Sequence, residues 1–265
     1  FLKDYDVAVG LSLDGPQSVH DGFRKRRNGE GTFPKVYAAL KLLQKTEIRY
    51  GIISVLSPET LEKPWLLYDF FQNNGVRQFS LNIPELEGVN TEGIAITDEF
   101  LIKYKEFIKY FYERRQNPDA VQILQIEYML AAILRVTPGA PSLAENIPLS
   151  ILSIASNGDL YTFSPELLGF SHPIYGSLVI GAERGHLEID IGKLRRLSNE
   201  IKAGISRCRT DCSYFEVCGG GHPGSKLFEH GSFSTTTHYS CSIIVKMLAE
   251  FLSELVLERD PRPAG

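Results

Sequence analysis

Apolar and polar positions alternate at the start of the chain. Val7, Val9, Leu11 and Leu13 fall on one face and Ala8, Gly10 and Ser12 on the other. This period of two predicts a strand over 7–13, ended by Gly15-Pro16. The spacing then lengthens: Val36, Ala39, Leu40 and Leu43 recur at helical intervals and predict a helix over 33–46. Residues 50–56 form a second apolar run. Ser57-Pro58 then supplies an N-cap with proline at the first helical position. The helix it opens is expected to reach about Asn74, with Gly75 as its stop and Pro64 as a kink. Phe79, Leu81 and Ile83 mark a third strand. Thr97 caps a further helix with Leu101, Tyr104, Ile108 and Phe111 on its apolar face.

Strand and helix thus alternate three times in the first 115 residues, which predicts a parallel sheet. The less apolar side of its strands carries Gly10, Ser12, Ser80 and Asn82, residues suited to lining a cavity. Ligand groups in such sheets sit at the carboxyl ends of strands, here near Ser12 to Gly15, at 54–57 and at 82–87. The same positions are equally read as ordinary strand-end turns. The second half is less regular. A helix is expected over 119–136, a loop over 138–148, a hairpin over 152–163 turning at Asn157-Gly158, and helices over 191–203 and near 241–258. No internal repeat or low-complexity segment is present.

Composition narrows the classes. With 265 residues, 43% of them hydrophobic, the chain can bury a core without disulfides. A formal charge of −4 argues against a nucleic-acid footprint. The longest apolar stretch, 243–257, is interrupted by Lys246, Glu250, Ser253 and Glu254, so it predicts an amphipathic helix and no membrane span. No signal-peptide pattern opens the sequence, and reduced cysteines then point to the cytoplasm. The first residue is Phe1 rather than Met, so the chain is expected to be a processed or incomplete polypeptide.

The cysteines are the sharpest feature. Cys208, Cys212 and Cys218 form a C-x3-C-x5-C run, and Cys241 follows after 22 intervening residues. Structural zinc, an iron–sulfur cluster and two disulfides all use four cysteines. Spacing alone does not separate zinc from a cluster. Gly219-Gly220-Gly221 directly after Cys218 fits backbone that must approach a bound group closely. A phosphate loop is not favoured, because no Lys-Ser/Thr ending is present.

Three segments together resemble radical SAM enzymes with a C-terminal SPASM extension: 9–16 with 20–24 (VGLSLDGP and HDGFR), the Cys208 to Gly221 block, and 162–169 (TFSPELLG). With Lys226 to Glu229, 231–233 and 235–241, the chain is similar to the cyclophane-forming maturases of glycine-rich-repeat peptides. The resemblance implies an α/β fold: the C-terminal strand–helix units of a radical SAM (β/α) barrel over 1–117, a linking helix and loop over 118–148, and an irregular cysteine-bearing SPASM-like domain over 149–265. It implies S-adenosylmethionine contacts at Ser12 and Arg24, with Asp14 and Asn82 as further candidates. It implies an auxiliary [4Fe–4S] cluster on Cys208, Cys212, Cys218 and Cys241, a ribosomal precursor peptide as substrate, and an electron donor such as flavodoxin or ferredoxin.

The departures matter as much. The C-x3-C-x2-C motif that holds the catalytic [4Fe–4S] cluster in that family is absent, since no cysteine precedes Cys208. This chain alone is therefore expected to be inactive, the C-terminal portion of a larger maturase. Phe163 and His222 stand where ligands of another auxiliary cluster would be, so one auxiliary cluster is expected. Ser164 replaces an acidic base of sulfatase maturases and is a poor base at neutral pH. Glu166 and His222 are the catalytic candidates, with Glu229 and His230 as further possible substrate contacts. Arg24 has a simpler reading, as a surface partner of Asp21 or Glu30. The competing function is a non-catalytic, zinc- or cluster-stabilised peptide-binding module or split partner subunit.

Overall fold

The computed structural model describes residues 1–85, 95–135 and 139–259. The chain divides into two units, Phe1–Pro84 with Ile94–Leu130, and Glu85–Gly93 with Ala131–Gly265.

The first unit is built on a parallel sheet whose strands follow one another in space as in sequence, β1 (Val9–Ser12), β2 (Tyr50–Val55), β3 (Gln78–Asn82) and β4 (Gln122–Ile123). Helices α1 (Gln17–Phe23), α2 (Phe33–Thr46), α3 (Pro58–Glu62), α4 (Trp65–Asn73) and α5 (Asp98–Arg114) join the strands. One side of the sheet is apolar and packed: Leu13, Ile52, Phe79 and Leu81 are buried with Leu40, Leu67, Phe71, Phe107 and Phe111. The other side carries Gly10, Ser12, Gly51 and Asn82, all exposed. This is the division that the period of two predicts.

Local signals place the helix starts. Ser57 and Thr60 form a reciprocal capping box ahead of Pro58, and Thr97 Oγ1 accepts the Phe100 amide. The single helix expected from Ser57 to Asn74 is instead two. Pro64 has no N–H to give and its ring crowds the preceding turn, so α3 ends at Glu62 and α4 starts afresh at Trp65. The helix expected over 119–136 is also different. Residues 122–123 extend to pair with β3 as a fourth strand, and α6 runs only from Leu124 to Ile133.

The second unit holds an antiparallel sheet of order β10-β9-β6-β5, made of β5 (Leu152–Ile154), β6 (Asp159–Thr162), β9 (Gly181–Glu183) and β10 (Leu187–Ile189). A small hairpin, β7 (Ser171–His172) and β8 (Gly176–Ser177), lies between β6 and β9 in sequence. The β5–β6 turn places Gly158 at φ +85°, as Asn157-Gly158 predicts. Leu160, Phe163, Leu167, Ile180, Leu197, Leu227 and Phe233 form the core. Asp190 caps α7 (Ile191–Asp211) by accepting the Lys193 amide at 2.8 Å. This helix runs well past the predicted end at 203. Short α8 (Phe215–Cys218) and α9 (Pro223–His230) follow. The last helix opens as a π-helical stretch, Cys241–Met247, and continues as α10 (Leu248–Arg259). None of the described helices is long and apolar enough to cross a membrane.

Candidate functional site

At the carboxyl end of β1 the chain turns through Asp14 and Gly15 into α1. Gly15 sits at φ +105°, and a Cβ there would lie 2.8 Å from Leu67 Cδ2, so only glycine makes this turn. Asp14 is 3% exposed. Its carboxylate takes a two-point bond from Arg24, with Nε donating to Oδ2 at 2.5 Å and Nη2 to Oδ1 at 3.2 Å. Oδ1 also accepts the Val55 amide at 2.8 Å, tying β1 to β2. Arg24 therefore pairs with neither Asp21 nor Glu30. Asp21 accepts the Phe33 amide and Gln17 Nε2, and Glu30 pairs with Arg26.

Behind Arg24 stands a residue that the sequence marked only as part of a resemblance. His20 is fully buried. Its Nδ1 accepts the Asp14 amide at 3.3 Å, and its Nε2 lies 3.0 Å from Thr32 Oγ1. Thr32 Oγ1 in turn donates to the Arg24 carbonyl at 3.0 Å. Burial lowers the His20 pKa below its ordinary 6.5, opposed by the Asp14 carboxylate and aided by the Arg24 charge. The ring is thus a neutral spacer between the Asp14 turn and the Arg24 backbone. Ser12 and Asn82 lie at the ends of β1 and β3, both exposed on the polar side of the sheet. Of the four residues, Asp14 and Arg24 are bonded to each other, Arg24 from the end of α1, while Ser12 and Asn82 end their own strands.

The four cysteines come from three elements. Cys208 is in the last turn of α7 and 5% exposed, Cys212 is its C-cap, Cys218 ends α8, and Cys241 starts the π-helical stretch. All four line one small cavity of about 20 Å³, walled by Phe215 and Val245. None is in a disulfide, so the paired-cysteine reading is set aside. Burial raises the Cys218 thiol, partly offset by hydrogen bonds from the backbone of Gly220 and Gly221. Burial pushes Cys241 up to about 12, partly offset by the His238 backbone.

The glycine triplet shapes this cavity. Gly219, Gly220 and Gly221 sit at φ +74°, +107° and +72°. Successive amides of such a turn form a concave donor surface. A Cβ on Gly219 would meet the Pro141 carbonyl at 2.0 Å, and one on Gly221 would meet His238 Nε2 at 2.7 Å. Lys226, on α9, is 2% exposed. Its Nζ donates to the Gly220 carbonyl at 2.6 Å and to Cys208 Sγ at 3.5 Å. The sequence marked Lys226 only as part of a resemblance; its buried charge was not visible there.

Glu166 and His222 are both exposed. Glu166 Oε2 would lie 3.9 Å from a Cβ on Gly224, and His222 Nδ1 lies 3.9 Å from Glu145 Oε1. Glu229 is better enclosed. Its side chain is 8% exposed, Oε2 accepts the Tyr239 amide at 2.5 Å, and Oε1 has no hydrogen-bond partner. Burial raises its pKa, with the Tyr239 amide opposing. Phe163 occupies the core at φ +76°.

No family model matches the chain. An uncharacterised protein of Synechocystis sp. is 32% identical over 252 residues, which is 94% of this chain and 63% of that protein's length. The chain therefore spans less than two thirds of this relative. A cysteine-type anaerobic sulfatase-maturating enzyme of Clostridium novyi is 33% identical over 90 residues, 34% of this chain and 24% of the enzyme. A serine-type enzyme of Bacteroides thetaiotaomicron is 35% identical over 72 residues, 27% of this chain and 17% of the enzyme. Among solved structures, native anSMEcpe with bound AdoMet superposes with a TM-score of 0.68 at 20% identity, covering 98% of this chain and 70% of that one. The same protein with AdoMet and the Cp18Cys peptide gives 0.65 at 20% identity, covering 98% and 71%. The chain is similar over part of its length to anaerobic sulfatase-maturating enzymes, and its α/β fold is the one that the anSMEcpe structure shows.

Proposed function

We propose that this chain is the C-terminal part of a radical SAM maturase that crosslinks residues of a ribosomal precursor peptide into a cyclophane, with one auxiliary [4Fe–4S] cluster on Cys208, Cys212, Cys218 and Cys241. One observation carries the reading: four free cysteines line a single cavity beside a glycine turn, on a fold whose solved neighbours are described with bound AdoMet and peptide.

Four thiolates suit either a tetrahedral zinc or a [4Fe–4S] cluster. The cluster is chosen here on the resemblance to SPASM-bearing enzymes, and metal analysis decides between the two. Such a cluster, when bound, supplies one-electron redox capacity. The chain's own residues supply the rest. Phe215 and Val245 wall the cavity, and the amides of Gly220 and Gly221 face Cys218.

At the strand ends, Arg24 would grip the AdoMet carboxylate. Asp14 uses Nε and Nη2 and so fixes the guanidinium plane, and Nη1 is not among the atoms bonded to Asp14. Ser12 and Asn82 would contact the same ligand from the exposed side of the sheet. The C-x3-C-x2-C motif is not in this sequence, so catalysis is assigned to the larger protein, with flavodoxin or ferredoxin as electron donor and Glu166 or His222 as acid–base candidates.

Anaerobic reconstitution with iron and sulfide tests the reading. Four iron and four sulfide per chain are expected, with loss of iron on Cys218→Ser or Cys241→Ser. One tightly held zinc in place of iron would favour the non-catalytic peptide-binding module instead. Coexpression of a maturase that supplies the C-x3-C-x2-C motif with a candidate precursor peptide is then expected to show loss of two hydrogens per crosslink by mass.

A further inference from the structure

We infer that Lys226 is a charge-setting positioning residue for the group held by the four cysteines, raising its reduction potential. This rests on the cluster reading above. Lysine is rarely buried this fully without a partner of opposite charge. Lys226 is 2% exposed, and its bonds go to a neutral carbonyl, Gly220 O at 2.6 Å, and to Cys208 Sγ at 3.5 Å. No ion pair to Lys226 exists among the described residues. The negative charge of a cluster bound on the four cysteines would balance it.

The geometry gives Lys226 two routes of action. It places one positive charge against the Cys208 sulfur, and it holds the Gly220 carbonyl, which also lies 3.7 Å from Cys208 Sγ, in the turn whose Gly220 and Gly221 amides face Cys218. Both routes favour the more negative of two charge states. A four-thiolate [4Fe–4S] group carries about −2 overall, and one electron from an external one-electron reductant makes it about −3, with no bond or proton exchanged. Net charge and hydrogen bonds to the sulfurs are what set such potentials. Met at position 226 keeps the length of the side chain and removes the charge and both bonds.

The test is a redox titration of the reconstituted 265-residue chain, followed by electron paramagnetic resonance, for the wild type, Lys226→Met and Lys226→Arg. Iron and sulfide are quantified in each. With iron retained, Lys226→Met is expected to lower the reduced-to-oxidised ratio at the wild-type midpoint about tenfold, a shift of about 59 mV for one electron. Lys226→Arg is expected to stay near the wild type. A Lys226→Met midpoint equal to that of the wild type, with full iron, overturns the inference. Where Lys226→Met does not hold iron, Lys226→Arg decides. Iron and potential both restored support the charge role; iron not restored shows that the site needs the shape of lysine, which overturns it. A wild-type chain that takes zinc and no iron fails the cluster reading, and that outcome is separate because it precedes any variant.

Discussion

Asp14 holds three groups with one carboxylate: two nitrogens of Arg24 and the amide of Val55. A half-exposed arginine gains little from an exposed partner. Against a buried, preorganised carboxylate it keeps one orientation. His20 props up this arrangement in its neutral form. Because Nδ1 accepts the Asp14 amide, the ring hydrogen is on Nε2 and is shared with Thr32. Protonation would put a second hydrogen on Nδ1, facing an N–H. The folded pKa is lowered below 6.5 by burial, so the unfolded chain binds the proton more readily than the folded one. The contribution of His20 to stability is therefore complete above about pH 6.5 and falls away as the pH drops below it. The check is an NMR titration of the imidazole together with denaturation midpoints. The ring should titrate below 6.5, and His20→Gln should flatten the loss of stability on the acid side; a midpoint at or above 6.5 contradicts the burial argument.

At the scale of elements, α7 shows how a long-range contact overrides a local rule. Gly204 lies inside this helix, where replacing glycine with alanine ordinarily stabilises by up to about 1 kcal/mol. Here a Cβ would fall 2.4 Å from the Phe233 carbonyl, a backbone atom that cannot simply swing aside. Gly204→Ala is therefore expected to destabilise, by about 1–3 kcal/mol, the range typical of overpacking. Thermal denaturation decides the sign. The predicted helix over 191–203 stops just short of this glycine because sequence periodicity cannot tell a stop from a close approach. The same limit hid β4. Val121, Ile123 and Ile126 are apolar in either a strand or a helix, and only pairing with β3 makes residues 122–123 extended. Elements whose cause is local were legible: α2 over 33–46, the Ser57 and Thr97 caps, and the Asn157-Gly158 turn all rest on neighbours within a few residues.

At the scale of the whole molecule, the candidate site was legible as a set of cysteines but not as an environment. Three sit in one short run, so their common purpose shows in the spacing; that Cys241 joins them depends on how the final helix packs. Lys226 and His20 were hidden for the same reason, since burial is a property of the fold. The two units have separate cores, one around Phe71, Phe79 and Phe111 and the other around Phe163, Leu227 and Phe233. The cysteines belong wholly to the second. A bound group that ties the end of α7, α8 and the start of the last helix contributes folding energy to those segments, because such a site does not pre-exist in the unfolded chain. Stripping iron from the reconstituted chain is thus expected to raise hydrogen exchange at 205–221 and 238–247, where the amides of Cys212, Cys218 and Cys241 bond within short turns. Exchange in β1, β2 and β3, whose ladder bonds lie in the other unit, should change little. A comparable rise in those strands would mean that the bound group supports the chain as one cooperative body, and the division into two separately stabilised units would have to be abandoned.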